Sequence, residues 1–441
     1  MLRGPRLAVL VFLLAAGGAL ALLAVTGEDD PPSFGPVTVE PGEPDPFAYQ
    51  EELDDQFVKR ATAGHSHVLY EKSPGGVFAT ARRVERWRDE IEEQATITAV
   101  DPDMLEAIVF LESAGDPHAR ASDDLEGAVG LTQILAETAT NLLGLRVDVE
   151  ESERLTRRMQ RRGPSRRLLA RRRAIDERFN PSDALQATGD YLTIAEKRFG
   201  REDLAVVSYH MGIGNLENVL AAYGEEDPSW AQVYFDSTPR NHPRAQRLIS
   251  GFGDDSATYL WRVYAAREIM RLYREDPGEL RRLARLQTSR ASAEAVLHPP
   301  GETEVFETRE DVEEANRSGT LRSFEGVRGM RAAARLRSPY LGLRPEAYDL
   351  AVYLAAGVRD VSGVRAPLIV TQTVRDLQSG GDSLHATGFA FDVRRDYVSD
   401  AQAVGFQYML DRLQSLNLIA WVRDPEVIHI TASSEAGELV Q

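Results

Sequence analysis

The sequence predicts a multidomain chain: an N-terminal membrane helix, then an all-α domain, then an α+β domain. Three observations carry this expectation. Leu7 to Val25 is an unbroken run of apolar or small residues behind Arg3 and Arg6. Apolar residues recur at helical spacing through roughly residues 80 to 285. Two β-type runs, Leu368 to Val374 and Glu426 to Thr431, lie near the C-terminus, beyond the boundary signal His298-Pro299-Pro300-Gly301.

Composition narrows the function. A chain of 441 residues suits two or three domains with full cores, and 43% hydrophobic with 27% charged residues is ordinary for globular protein. The net charge of −18 argues against a nucleic-acid partner and against non-specific adhesion to an anionic polymer. No cysteine is present, which excludes disulfides, thiol catalysis, thiolate-bound zinc and a lipid-modified cysteine.

Taken in order, residues 1–30 read as a signal anchor or transmembrane helix. The run is long enough to cross a bilayer. Arginines before it and Glu28-Asp29-Asp30 after it send the rest outward. A cleaved signal peptide is the alternative, but Thr26-Gly27 is a poor cleavage site. Residues 31–79 read as a linker, because Pro31 to Asp55 is rich in Pro, Gly, Glu and Asp. His65 and His67 fall before Pro74-Gly75-Gly76 and read as an exposed loop rather than a metal pair.

Val84, Trp87 and Ile91 mark the first helix of the next domain. Asp101-Pro102 then starts a second: Asp101 can cap, and Pro102 suits the first turn. Met104, Leu105, Ile108 and Leu111 follow at helical spacing, and Gly115 and Pro117 stop the run. Glu112 therefore sits on the last turn of an apolar helix. The negative helix end and burial both disfavour its charge, so its pKa rises. A carboxylic acid that stays protonated near neutral pH is what glycosidic cleavage needs. Asp123, Asp124 and Glu126 lie close enough in sequence to offer a second carboxylate. Residues of about 145–178, with Arg157-Arg158, Arg161-Arg162, Arg166-Arg167 and Arg171-Arg172-Arg173, read as a charged helical insertion, more a solvated face than a site for anionic polymer or lipid.

Four separated blocks then share one resemblance. Glu112-Ser113 with Gly115-Asp116-Pro117 and Gly130-Leu131-Thr132-Gln133-Ile134 come first. Asn180-Pro181 with Gly189 and Tyr191 is next, then Ala205 to Gly214, then Thr258-Tyr259. In that order they resemble the lytic transglycosylase family of the lysozyme-like superfamily, over roughly residues 80 to 285. The resemblance implies an all-α lysozyme-like domain with Glu112 as the catalytic acid and Ser113, Gln133, Tyr209 and Tyr259 on the substrate. It implies peptidoglycan as the partner, no cofactor for this domain, and a muramic hydroxyl in place of water as the attacking group. A water-using lysozyme stays open from the residues alone. His210 and Met211 stand where that family has Asn and Ala.

Residues 286–335 read as a linker and entry, and 336–441 as the last domain. Arg344-Pro345 opens a helix there. Ser383-Leu384-His385-Ala386-Thr387-Gly388-Phe389-Ala390-Phe391-Asp392 precedes the strand that carries His429. Two histidines and an aspartate make a three-ligand zinc set with an open position. The decapeptide resembles the D-alanyl-D-alanine carboxypeptidase-like zinc peptidases. That resemblance assigns zinc to His385, Asp392 and His429, the general base to Glu426 and a carbonyl-steadying role to Arg375. Ile428 stands where that family has Trp. In a regular strand Glu426 and His429 point to opposite faces, so the strand must start or bend between them.

The expectation is a bifunctional peptidoglycan-degrading or remodelling enzyme in the bacterial cell envelope, anchored in the cytoplasmic membrane with its domains outside. One domain cuts glycan; the other trims stem peptides with zinc. The alternative keeps only Glu112 catalytic and makes the last domain a stem-peptide-binding module.

Overall fold

The computed structural model describes residues 48–287, 304–381 and 384–434. Among these, the chain divides into two compact units. The first is made of residues 69–230 and 251–280; the second of residues up to 68, 231–250 and from 281 onward.

The early helices are α1 (Asp54–Lys72), α2 (Val77–Glu85), α3 (Arg88–Thr98), α4 (Pro102–Ser113), α5 (Ala136–Asn141), α6 (Val149–Arg162) and α7 (Arg166–Ile175). Then come α8 (Pro181–Phe199), α9 (Glu202–Met211), α10 (Ile213–Tyr223), α11 (Trp230–Asp236), α12 (Pro243–Gly251), α13 (Tyr259–Glu275) and α14 (Pro277–Leu286).

The first unit is helical, and α4 lies at its heart. Asp101 caps α4 by accepting from the Asp103 amide at 2.9 Å, with Pro102 at the first position. Leu105, Ile108, Val109 and Phe110 are all buried. Each such side chain contributes about 1.5–3 kcal/mol through burial. α4 packs on α13, whose Trp261, Val263, Ile269 and Met270 are also buried. α8 lies on α3 so closely that a Cβ at Gly189 would fall 2.3 Å from Thr98 Oγ1. The expected helix through Val84, Trp87 and Ile91 is two helices. Trp87 caps α3, and its Nε1 donates to the Gly115 carbonyl at 3.0 Å, which ties this corner to the end of α4.

The second unit contains the sheet. α15 (Arg309–Ser318) opens with a reciprocal cap between Thr308 and Asp311. Strands β1 (Arg322–Ser323), β2 (Gly326–Val327), β3 (Met330–Ala332) and β4 (Gly342–Leu343) follow. Next are α16 (Pro345–Ser362), β5 (Leu368–Gln372), β6 (Ala390–Arg394), α17 (Asp400–Ser415), β7 (Ile419–Arg423) and β8 (Val427–Ala432). Six strands form one sheet in the order β2-β3-β5-β6-β8-β7, with β3 and β5 parallel and the other pairs antiparallel. β1 pairs with β4, and α16 packs on α17.

Several expectations are corrected. The fold is helical with a sheet-containing C-terminal region, and among the described residues no helix is long and apolar enough to cross a membrane. The N-terminal membrane helix is therefore not part of the supported architecture; the run Leu7 to Val25 lies outside the described residues. The stretch read as linker over residues 31–79 holds α1 and the start of α2. Phe57, Ala61, His65 and Leu69 recur every fourth residue of α1 and are buried, a helical stripe that the acidic composition masks. His65 and His67 are not on a loop: they ride α1, where His65 Nε2 and Ser415 Oγ are hydrogen-bonded at 2.9 Å. The linker expected over 286–335 contains α15 and β1 to β3.

Candidate functional site

The last turn of α4 fixes Glu112. Ala114 closes the helix in the left-handed conformation at φ 52°, and Arg83 Nε of α2 donates to its carbonyl at 2.9 Å. Tyr259, the first residue of α13, donates its hydroxyl to Glu112 Oε1 at 2.7 Å. Burial pushes the Glu112 carboxyl up to about 7. His210 and the Tyr259 hydrogen bond pull the other way, and the nearby Asp255 carboxylate adds to the rise. Glu112 can thus hold a proton near neutral pH and release it within the working range.

The tyrosines form one aromatic wall. The Tyr209 and Tyr259 rings stack with centroids 6.5 Å apart, and Tyr191 meets Tyr209 edge-on at 5.3 Å. The Tyr209 hydroxyl donates to the Thr132 carbonyl at 2.7 Å, inside the block that carries Gln133. Burial, followed by the Glu112 charge, pushes both Tyr209 and Tyr259 upward, so they stay neutral hydrogen-bonding groups.

Ser113 and Gln133 have local duties. Ser113 Oγ donates to the Val109 carbonyl and accepts from the Gly115 amide, both at 3.2 Å, finishing the helix end under Glu112. Gln133 adopts φ 54°, and its Nε2 donates to the Gly130 carbonyl at 2.8 Å. Gly130 has φ 84°, and a Cβ there would lie 2.0 Å from the Arg178 carbonyl.

Sequence reasoning missed the residues that hold this loop. The Arg178 side chain is fully buried and pairs with Asp176 at 2.9 Å. It also donates to the carbonyls of Leu125 at 2.8 Å and Gly127 at 3.1 Å. Asp176 accepts from Ser152 of α6 at 2.8 Å. α6 and α7 do form the expected helical excursion, but its end is core, not a solvated face. Of the carboxylates near in sequence, Asp123, Asp124 and Glu126 are all exposed, and Asp123 pairs with Arg120. The carboxylate that acts on Glu112 is Asp255, which Arg262 of α13 neutralises.

In the second unit the register of β6 and β8 sets Asp392 directly opposite His429. Asp392 Oδ1 lies 2.9 Å from His429 Nδ1 and 3.3 Å from His385 Nε2. His385 Nδ1 donates to the Thr373 carbonyl at 2.9 Å, which turns Nε2 toward Asp392. Both histidines are buried. Burial raises the Asp392 carboxyl, but hydrogen bonds from both rings outweigh that and hold it well below the usual carboxylate range.

The donor set fits zinc. Ligand atoms about 2.0–2.1 Å from a tetrahedral ion stand roughly 3.3 Å apart. The separations of 2.9 and 3.3 Å match that edge, and one donor atom from each residue lies within 4.8 Å of the other two. The Glu426 and Arg375 side chains are exposed, and the Arg375 amide donates to the His385 carbonyl at 3.3 Å. Glu426 lies in the bend just before β8, so strand alternation does not fix its side chain. Ser383 of the decapeptide lies outside the described residues.

Comparison with known proteins agrees with the first unit. Residues 89–230 match the family model described as Transglycosylase SLT domain. An endo-type membrane-bound lytic murein transglycosylase A of Klebsiella pneumoniae subsp. pneumoniae is 26% identical over 214 residues, covering 46% of this chain and 90% of the relative. The proteins of the same description from Klebsiella pneumoniae strain 342 and Salmonella paratyphi B are 25% identical over the same length and shares. The family-model match ends at residue 230, so the zinc-type cluster stands on its own geometry. With Glu112 on the end of its central helix, the first unit holds the stretch that is similar to the transglycosylase SLT domain.

Proposed function

We propose that the first unit cleaves the glycosidic bond between N-acetylmuramic acid and N-acetylglucosamine in peptidoglycan, without water, leaving an anhydro end. The observation that carries this is Glu112: a lone acid, pushed up to about 7 and hydrogen-bonded by Tyr259, whose carboxylate neighbour Asp255 is tied to Arg262. Hydrolysis by two carboxylates needs a second free one. Here one group does both halves. Glu112 gives its proton to the leaving oxygen, and the resulting carboxylate takes the proton of the muramic hydroxyl as that oxygen closes on the sugar's anomeric carbon. Tyr259 holds the acid in place through both halves. The names of the curated relatives support the same reaction class. The work is then done in the bacterial cell envelope. Mass spectrometry of fragments released from purified peptidoglycan tests the reading: anhydro ends support it, and reducing muramic ends make the unit a lysozyme.

For the second unit, His385, Asp392 and His429 would hold one zinc ion. When bound, the ion supplies Lewis-acid polarisation of a carbonyl and an acidified water. The Thr373 carbonyl orients His385, and the register of β6 and β8 presents Asp392 beside His429. Stem peptide is the ligand this reading assigns, with Glu426 taking a proton and Arg375 steadying the carbonyl oxygen. The exposure of the Glu426 and Arg375 side chains favours a second reading, in which the unit binds stem peptides without cutting them. Trimming of stem peptides by the zinc-loaded parent, lost in Glu426→Gln with zinc retained, supports the peptidase. Zinc binding without trimming supports the binding module.

A further inference from the structure

His210 stands at the end of α9 where the resembled family carries Asn, and its surroundings are specific. Its ring stacks on Tyr259 with centroids 5.0 Å apart and planes 27° from parallel. Its Nδ1 is hydrogen-bonded to Ser256 Oγ at 2.9 Å. Its Nε2 faces Asp255 Oδ1 at 3.8 Å, an ion-pair distance rather than a hydrogen bond. That Asp255 oxygen is buried and has no hydrogen-bond partner among the described residues. Arg262 binds the other oxygen of the same carboxylate.

A buried carboxylate oxygen left without a donor is costly. The N–H that would answer it is on His210, and Ser256 Oγ can serve the ring's other nitrogen. Both nitrogens therefore face oxygen. The charged and titratable groups around the ring are Asp254 and Asp255 before α13, Tyr259 and Arg262 on α13, and Glu112 on α4. His210, Asp254 and Asp255 also bring donor atoms within 4.8 Å of one another, but the Arg262 guanidinium already occupies Asp255, which disfavours a cation there.

We infer that His210 is a positioning residue for Glu112: clamped between Tyr259, Ser256 and Asp255, it sets a positive charge beside the carboxyl that Tyr259 holds. Asn in its place keeps hydrogen bonding but brings no charge. The charge has a definite use. It stabilises the carboxylate left after proton donation, when Glu112 must wait as a base for the muramic hydroxyl. Asp255 works in the opposite sense on Glu112 and, with Arg262, keeps the cluster near neutral. The inference rests on the glycan-cleaving reading for its purpose, but not for its test.

The test is a 13C titration of Glu112 in the substrate-free full chain, with the resonance assigned by its loss in Glu112→Gln. His210→Gln and His210→Phe should both raise the Glu112 midpoint by roughly one pH unit, the effect of removing one nearby opposite charge. His210→Lys should return it to the parent value or below. The alkaline limb of glycan cleavage should move upward with the midpoint in the first two variants. An unmoved midpoint in Gln and Phe overturns the inference. A shift in Gln with none in Phe also overturns it, since the ring would then act by stacking alone. A parent that titrates as stated yet releases no anhydro fragments sinks the glycan-cleaving reading and leaves the charge placement standing. The Lys variant reports on charge even where loss of the ring weakens the fold.

Discussion

Two buried carboxylates, one in each unit, meet opposite fates. Glu112 is pushed up to about 7, and Asp392 is held well below the ordinary range. Burial raises both, so burial does not separate them. Their partners do. Glu112 has one phenol hydrogen bond, a more distant imidazole and an opposing carboxylate. Asp392 has two imidazole nitrogens within 3.3 Å of a single oxygen. The first environment lets the carboxyl keep a proton near neutral pH, and the second keeps it ionised. A carboxylate's chemistry is thus set by the count and reach of its donors after desolvation has acted.

The sharpest way to break this comparison is Glu112→Gln. Loss of the acid should cost about 10²–10⁴-fold in glycan cleavage while the fold stays intact. Release of soluble fragments from purified peptidoglycan, with circular dichroism as the fold check, measures it. Undiminished release would move the acid elsewhere.

Next in size is the metal. The parent should bind one zinc, and His385→Ala or Asp392→Asn should weaken binding by at least roughly 100-fold, since two ligands seldom retain the ion. Competition with a chelating dye reads this directly. Where zinc stands at 100 times its dissociation constant, it should stabilise the second unit by about 2.7 kcal/mol, and a melting curve with and without metal checks that.

A packing change probes the scaffold under Glu112. Gly189→Ala sets a methyl against Thr98, and overpacking of this kind costs about 1–3 kcal/mol. The midpoint of urea unfolding should fall accordingly, and Thr98→Ala in the same chain should recover part of the loss.

The last effect is in pH. The folded Glu112 carboxyl sits above its ordinary value of 4.5, so the folded state binds a proton that the unfolded state has lost between 4.5 and about 7. Stability tied to this group is full below 4.5 and declines as pH rises through that window. Glu112→Gln should remove the decline. The variant should match the parent near pH 4 and melt higher at pH 8, the reverse of what loss of a stabilising ion pair would give.

Much of the Glu112 site could be read in the sequence because its signals are local. Asp101, Pro102 and Gly115 mark both ends of α4 within one stretch of chain, and apolar spacing sets its buried face. The grouping of His385, Asp392 and His429 could be read because β6 and its entry turn carry two of the three residues in one decapeptide. What escaped depends on distance. Tyr259 and Glu112 are 147 residues apart, and only folding shows which carboxylate shares their space. Arg178 reads like the other arginines of this stretch, because charge alone does not tell a solvated side chain from one that donates to the Leu125, Gly127 and Ile134 carbonyls. In α1, the stripe Phe57, Ala61, His65 and Leu69 was legible, but the Pro-, Gly- and acid-rich stretch before it suggested a linker.

The bond between His65 and Ser415 joins positions 350 residues apart, and Gln414 Nε2 reaches the Gly64 carbonyl across the same span at 3.0 Å. On a growing chain, every residue of the first unit has been made by Leu280. The second unit has to wait for α17, with its opening helix already made and the partners of His65 and Gly64 on that helix still missing. Contacts of such span are slow to form and leave those groups open to wrong partners meanwhile. The order of assembly is therefore written into the connectivity: the glycan-site unit can close first, and the sheet unit becomes complete only as the last helix and strands arrive.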